Sequence, residues 1–84
     1  MSAHPPEIFT GTGAATVTPT RPRRMMLVGN KGPADQLDVG WNGSTAAWTL
    51  DPGQSKGNYV RGGVTQVVLT PVSGTPGWQV ELSD

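Results

Sequence analysis

The chain has no cysteine and a single histidine among its 84 residues. The first absence excludes disulfide scaffolds and thiolate-bound zinc, and the second leaves too few groups for the common nucleophile and base pairs. His4 stands beside Pro5 and Pro6, a setting that suits neither a general base nor a metal ligand. Excess charge of one sign is missing too, since six basic residues balance six acidic ones. No net positive field would then draw the chain to nucleic acid or to an anionic membrane. No apolar run approaches the length of a membrane span or a signal peptide, so the expectation is a protein made in the cytoplasm without export. Asp35 and Asp38 are spaced to fall on opposite faces of a strand, which suits solvated charges better than a carboxylate pair. Gly11-Thr12-Gly13 lacks the lysine and the following helix of a phosphate loop, and reads as a joint. The expectation is a protein with no catalytic residue, cofactor or metal.

Uninterrupted helical windows are also absent. Twelve glycines and eight prolines are scattered through the chain, and both residues disfavour helix interiors. What is present is period two, the spacing that puts side chains on one face of a pleated strand. Leu37, Val39 and Trp41 alternate with Gln36, Asp38 and Gly40. Ala46, Trp48 and Leu50 alternate with Thr45, Ala47 and Thr49, and Trp78, Val80 and Leu82 with Gln79, Glu81 and Ser83. Met25 to Val28 and Val64 to Leu69 are continuous apolar or β-branched runs, as expected of central strands covered on both faces or bordering a subunit contact. Ala15 to Thr18 and Tyr59 to Arg61 make shorter candidates.

Turn chemistry punctuates these runs at Gly29 to Pro33, Asn42-Gly43-Ser44, Asp51-Pro52-Gly53, Gly62-Gly63 and Ser73 to Gly77. Asn42-Gly43 is the strongest hairpin signal, because a type I′ turn requires positive φ at both central residues. The predicted architecture is all-β: a small antiparallel β-sandwich or flattened barrel of six to eight short strands over residues 14–84. Residues 1–13 do not share the periodicity and are predicted to form an extended N-terminal arm that reaches a partner. A single core this small is marginal, and without disulfides or metals the remaining staple is assembly.

The three tryptophans fall on the apolar phase of their strands, which favours a shared core over a sugar-stacking platform. Arg21, Arg23 and Arg24 form the one charge cluster, directly ahead of Met25-Met26-Leu27-Val28. No aromatic residues are interleaved with them, so a nucleic-acid face is disfavoured. They read either as solvated residues at the start of a strand or, preferably, as guanidinium forks that pair with a partner. Pro5, Pro6, Ile8 and Phe9 of the arm join them as candidate partner-binding residues.

From Ala14 to Asp84 the chain resembles small β-sandwich structural proteins of tailed-phage virion modules, in particular capsid decoration or cement proteins. The resemblance is carried by RRMMLVGN, by LDVGW closed with an asparagine-glycine turn, by LDPGQS after Thr49 and by the final WQVEL. It implies a non-enzymatic virion protein, often a trimer, that sits on the major capsid protein or other virion subunits and locks the lattice. A tail, head-completion or fibre-base component is the alternative within the particle. A carbohydrate-binding β-sandwich module is the alternative outside it.

Overall fold

A computed structural model describes residues 5–44 and 46–84. Among these residues there is no helix, and eight strands form two antiparallel four-stranded sheets. The strands are β1 (Glu7–Thr12), β2 (Ala15–Val17), β3 (Arg23–Asn30), β4 (Leu37–Trp41), β5 (Trp48–Leu50), β6 (Ser55–Val64), β7 (Val67–Pro71) and β8 (Gly77–Ser83). The first sheet runs β1-β8-β3-β6 and the second β2-β7-β4-β5. The predicted all-β sandwich is the observed fold.

The core is the shared inner face of the two sheets. Met26, Val28, Trp78, Val80 and Leu82 come from the first sheet, and Val17, Leu37, Val39, Leu50, Val67 and Leu69 from the second. β8 shows the cause most clearly: its burial alternates residue by residue, with Trp78, Val80 and Leu82 inside. Met25 to Val28 lie in a central strand as expected, β3 between β8 and β6, and so do Val67 to Leu69, in β7 between β2 and β4.

The structure corrects the sequence reading in four places. Glu7 to Thr12 are not an arm: they form edge strand β1, paired with β8 from Glu7↔Leu82 to Thr12↔Gly77. The Trp78 indole lies across Gly11, where a Cβ would meet its ring at 2.6 Å, and its N–H donates to the Gly13 carbonyl at 2.9 Å. Of the proposed arm, residues 1–4, with His4, lie outside the described residues, and Pro5 and Pro6 are exposed.

The second correction breaks the run Val64 to Leu69 in two, because Val64 ends β6 and Val67 begins β7. The side chain of Asn42 organises this corner: it accepts from the Thr65 N–H at 2.8 Å and donates to the Gly63 carbonyl at 2.9 Å. Third, Tyr59 to Arg61 belong to a ten-residue strand. Its pairing with β3 jumps from Met25↔Tyr59 to Arg23↔Val64, so β6 bulges outward around Gly62 and Gly63, whose φ values are 87° and 95°.

Fourth, the alternation from Ala46 to Leu50 yields a strand only from Trp48. Asn42-Gly43 makes the expected turn, with φ of 53° and 92° and the Ser44 N–H donating to the Trp41 carbonyl. The ladder then pairs Val39 with Trp48, where a two-residue turn continued directly would pair it with Ala46. Thr45, assigned to this strand from sequence, lies outside the described residues.

Candidate interaction surface

The outer face of the first sheet carries large apolar side chains among the polar Gln79, Glu81 and Ser83 of β8. Inner residues Met26 and Val28 alternate with Met25 and Leu27, so a continuous apolar run necessarily puts two side chains outside. Met25 and Leu27 are 42% and 47% exposed. Register places Leu27 beside Glu81, itself opposite Ile8, and Met25 beside Tyr59. Ile8 and Tyr59 are 58% and 57% exposed. Met25, Leu27 and Tyr59 line a shallow groove of about 540 Å³ together with Gly57 and with Glu81 and Ser83 of β8. Four large exposed apolar side chains thus share one sheet face.

At one end of this face lie the arginines, and the structure separates them. Arg21 and Arg24 are exposed and border a groove of about 470 Å³ with Pro22, Gly62, Gly63 and Asp84. Arg23 is only 3% exposed. Its Nε donates to Glu7 Oε2 at 3.0 Å and its Nη1 to Asp84 Oδ2 at 3.5 Å. The guanidinium thus ties β1 to the end of β8 instead of reaching a partner, which corrects its assignment to the interface. Phe9 is corrected likewise, since it lies half-buried against the core on the inner face of β1. Ile8, Arg21 and Arg24 remain on the surface, as do Pro5 and Pro6. Met25, Leu27 and Tyr59 were missed, although the unbroken apolar run after Arg24 carried the signal for the first two.

Glu7 completes the internal clamp. Burial pushes its carboxyl up, but the Thr20 N–H, the Thr20 hydroxyl and the Arg23 guanidinium outweigh that and hold its pKa below the ordinary glutamate value. A depressed native pKa means stability that is fully present above the unfolded-state value and lost as pH falls through the native one. Glu7→Gln is therefore expected to melt below wild type at neutral pH, with the gap closing as pH falls through the carboxylate range. A gap in melting temperature that is constant with pH would show that the carboxylate charge contributes nothing.

The indoles do not form a sugar platform. Trp78 is 6% exposed. Trp41 and Trp48 are half-buried against the core, their centroids 4.7 Å apart and their planes tilted by 59°, with the Lys56 ammonium 5.3 Å above Trp48. Two open, coplanar rings, which stacking on a sugar would require, are not offered. Among the described residues no three His, Cys, Asp or Glu side chains gather as a metal cluster. No protein-family model matches the chain, and no curated protein matches it.

Proposed function

We propose that this chain is a non-enzymatic structural protein of a virus particle that adds to the outside of a capsid lattice and reinforces it as a decoration or cement protein. The observation that carries the reading is the set of exposed apolar side chains Ile8, Leu27, Met25 and Tyr59 on the outer face of the first sheet, with Glu81 between the first two and Arg21 and Arg24 at the end. An apolar centre with guanidinium groups at the rim is the anatomy of a protein–protein interface. The partner is the major capsid protein or another virion subunit, and the chain acts as a homo-oligomer. The resemblance of RRMMLVGN and its neighbouring motifs to virion modules supports the lattice as the partner. Many copies of a modest contact suffice there, since contacts made together act at high effective concentration.

The test is occupancy on purified particles. Leu27→Ser combined with Arg21→Ser and Arg24→Ser should lower occupancy at limiting protein by about tenfold or more. The free protein should keep its fold, because all three side chains are exposed. Arg23 is kept, since with Arg21 replaced it is the cation that remains for both Glu7 and Asp84. Unchanged occupancy, or particles equally robust without the protein, would reject the reading. A few copies at one vertex would favour the tail or head-completion role.

A further inference from the structure

β6 is the long open edge of the first sheet, hydrogen-bonded to β3 on one side only. The direction of its free backbone groups follows from the ends of the ladders. The Asn30 N–H donates to the Gln54 carbonyl, and the Lys31 N–H to the Gly77 carbonyl. Bonded and non-bonded pairs alternate along antiparallel strands. Asn30, Val28 and Met26 therefore bond toward β6, while Lys31, Gly29, Leu27 and Met25 bond toward β8. On β6 the bonding residues are Lys56 and Asn58. The N–H and C=O groups of Ser55, Gly57 and Tyr59 consequently point away from the sheet, into solvent.

Unpaired groups in such a row are a template for another strand. We infer that the occupant is β6 of a second copy, paired antiparallel about a two-fold axis at Asn58. In that register Gly57 faces the second copy's Tyr59, and Tyr59 faces its Gly57. Both residues have outward backbone groups, so both pairs are hydrogen-bonded. Register also decides side-chain fit, because Gly57 and Tyr59 both project on the outer face. Gly57 lines the groove beside Leu27, where an added Cβ would lie 3.5 Å from Leu27 Cδ1. The incoming tyrosine ring would cover that bare glycine and rest on Leu27, a pairing in which an aromatic shields a strand glycine. Symmetry supplies the same contact twice. Lys56 falls opposite Val60 and Arg61 opposite Ser55, so no like charges face each other across the seam.

The bulge at Gly62 and Gly63 sets the end of the seam, and because the two-fold pairing uses the β6 edge of both copies, association through this edge closes at two. At the other edge, the Thr20 N–H and hydroxyl bond the Glu7 carboxylate at the start of β1. The exposed parts of two tyrosines and the short paired segment are all that the contact buries. That places the dimer in the small, transient class below about 1,200 Å². The product is one eight-stranded sheet with the exposed apolar side chains of each copy on a shared outer face.

The inference is tested on the free full chain, apart from any virion role. Amide hydrogen exchange is followed residue by residue as concentration rises from about 1 μM to about 1 mM, alongside sedimentation. Lys56 and Asn58, bonded to β3, should be protected throughout, whereas Gly57 and Tyr59 should gain protection only as dimer forms. Tyr59→Ala should weaken dimerisation about tenfold while leaving the thermal melt unchanged at about 1 μM, where the chain is monomeric, since the side chain is exposed. Free exchange at Gly57 and Tyr59 at every concentration would overturn the inference, whatever the oligomeric state. A dimer of undiminished affinity in Tyr59→Ala would overturn it too.

Discussion

Trp78→Ala is expected to cost about 3–5 kcal/mol, the range for removing a large aromatic from a packed core. The indole does three things at once. It fills the centre of the core at the start of β8, it closes over Gly11 of β1, and it donates its N–H to the Gly13 carbonyl. Alanine would leave a cavity and a buried carbonyl without its donor. Because a domain this small has total stability near the lower end of about 5–15 kcal/mol, the variant should be largely unfolded at physiological temperature. Equilibrium denaturation monitored by far-ultraviolet circular dichroism gives the answer. A loss under about 1 kcal/mol would mean that β1 and β8 are held together by something other than this ring.

Asn30→Ala is expected to cost about 3 kcal/mol, although it removes little apolar surface. Asn30 is fully buried at the end of β3, and each of its side-chain polar atoms is satisfied. Nδ2 donates to the carbonyls of Asp35 and Leu50 at 2.8 and 3.0 Å, while Oδ1 accepts from the Gly32 N–H at 3.0 Å. The Leu50 bond crosses from one sheet to the other, and the other two shape the connection between β3 and β4. Alanine would strand three backbone groups, each worth about 1–3 kcal/mol if no water reaches it. Asn30→Asp should do no better, because a carboxylate cannot donate to two carbonyls. Denaturant midpoints that match wild type for Asn30→Ala would show that solvent replaces all three bonds.

The parts of the fold legible in the sequence are those whose cause is local. Leu37-Val39-Trp41 and Trp78-Val80-Leu82 display their buried face by alternation, and Asn42-Gly43 displays its turn by the need for positive φ. β1 was illegible because its inner face is Glu7, Phe9 and Gly11, a carboxylate, one phenyl ring and a bare backbone. Their partners, Arg23 and Trp78, stand far along the chain, so no window around residue 9 contains the reason for the strand. Ser55 to Asn58 were unreadable for the opposite reason. An edge strand exposed along this stretch needs no apolar phase, and pairing with β3 alone makes it a strand. At the surface, the three arginines of RPRR looked like equivalent cations. One of them is buried between two distant carboxylates, and the large exposed apolar side chains beside the cluster, Met25, Leu27 and Tyr59, went unread.

The strand order has a consequence for synthesis. β8, at residues 77–83, is the wedge between β1 and β3, and only one of the seven connections, from β4 to β5, joins neighbours within a sheet. A nascent chain that has not yet released β8 from the ribosome holds β1 without a neighbour, β3 with only β6, and an Arg23 without Asp84. Such a chain cannot acquire native structure strand by strand, and its open β3 edge beside Met25 and Leu27 is its most adhesive part. Folding of this domain therefore waits for β8, and its closure joins residues 7–12 to residues 77–83, slow by the measure of contact order. Chaperones that shield apolar nascent segments have the most to hold between the emergence of residue 30 and that of residue 83.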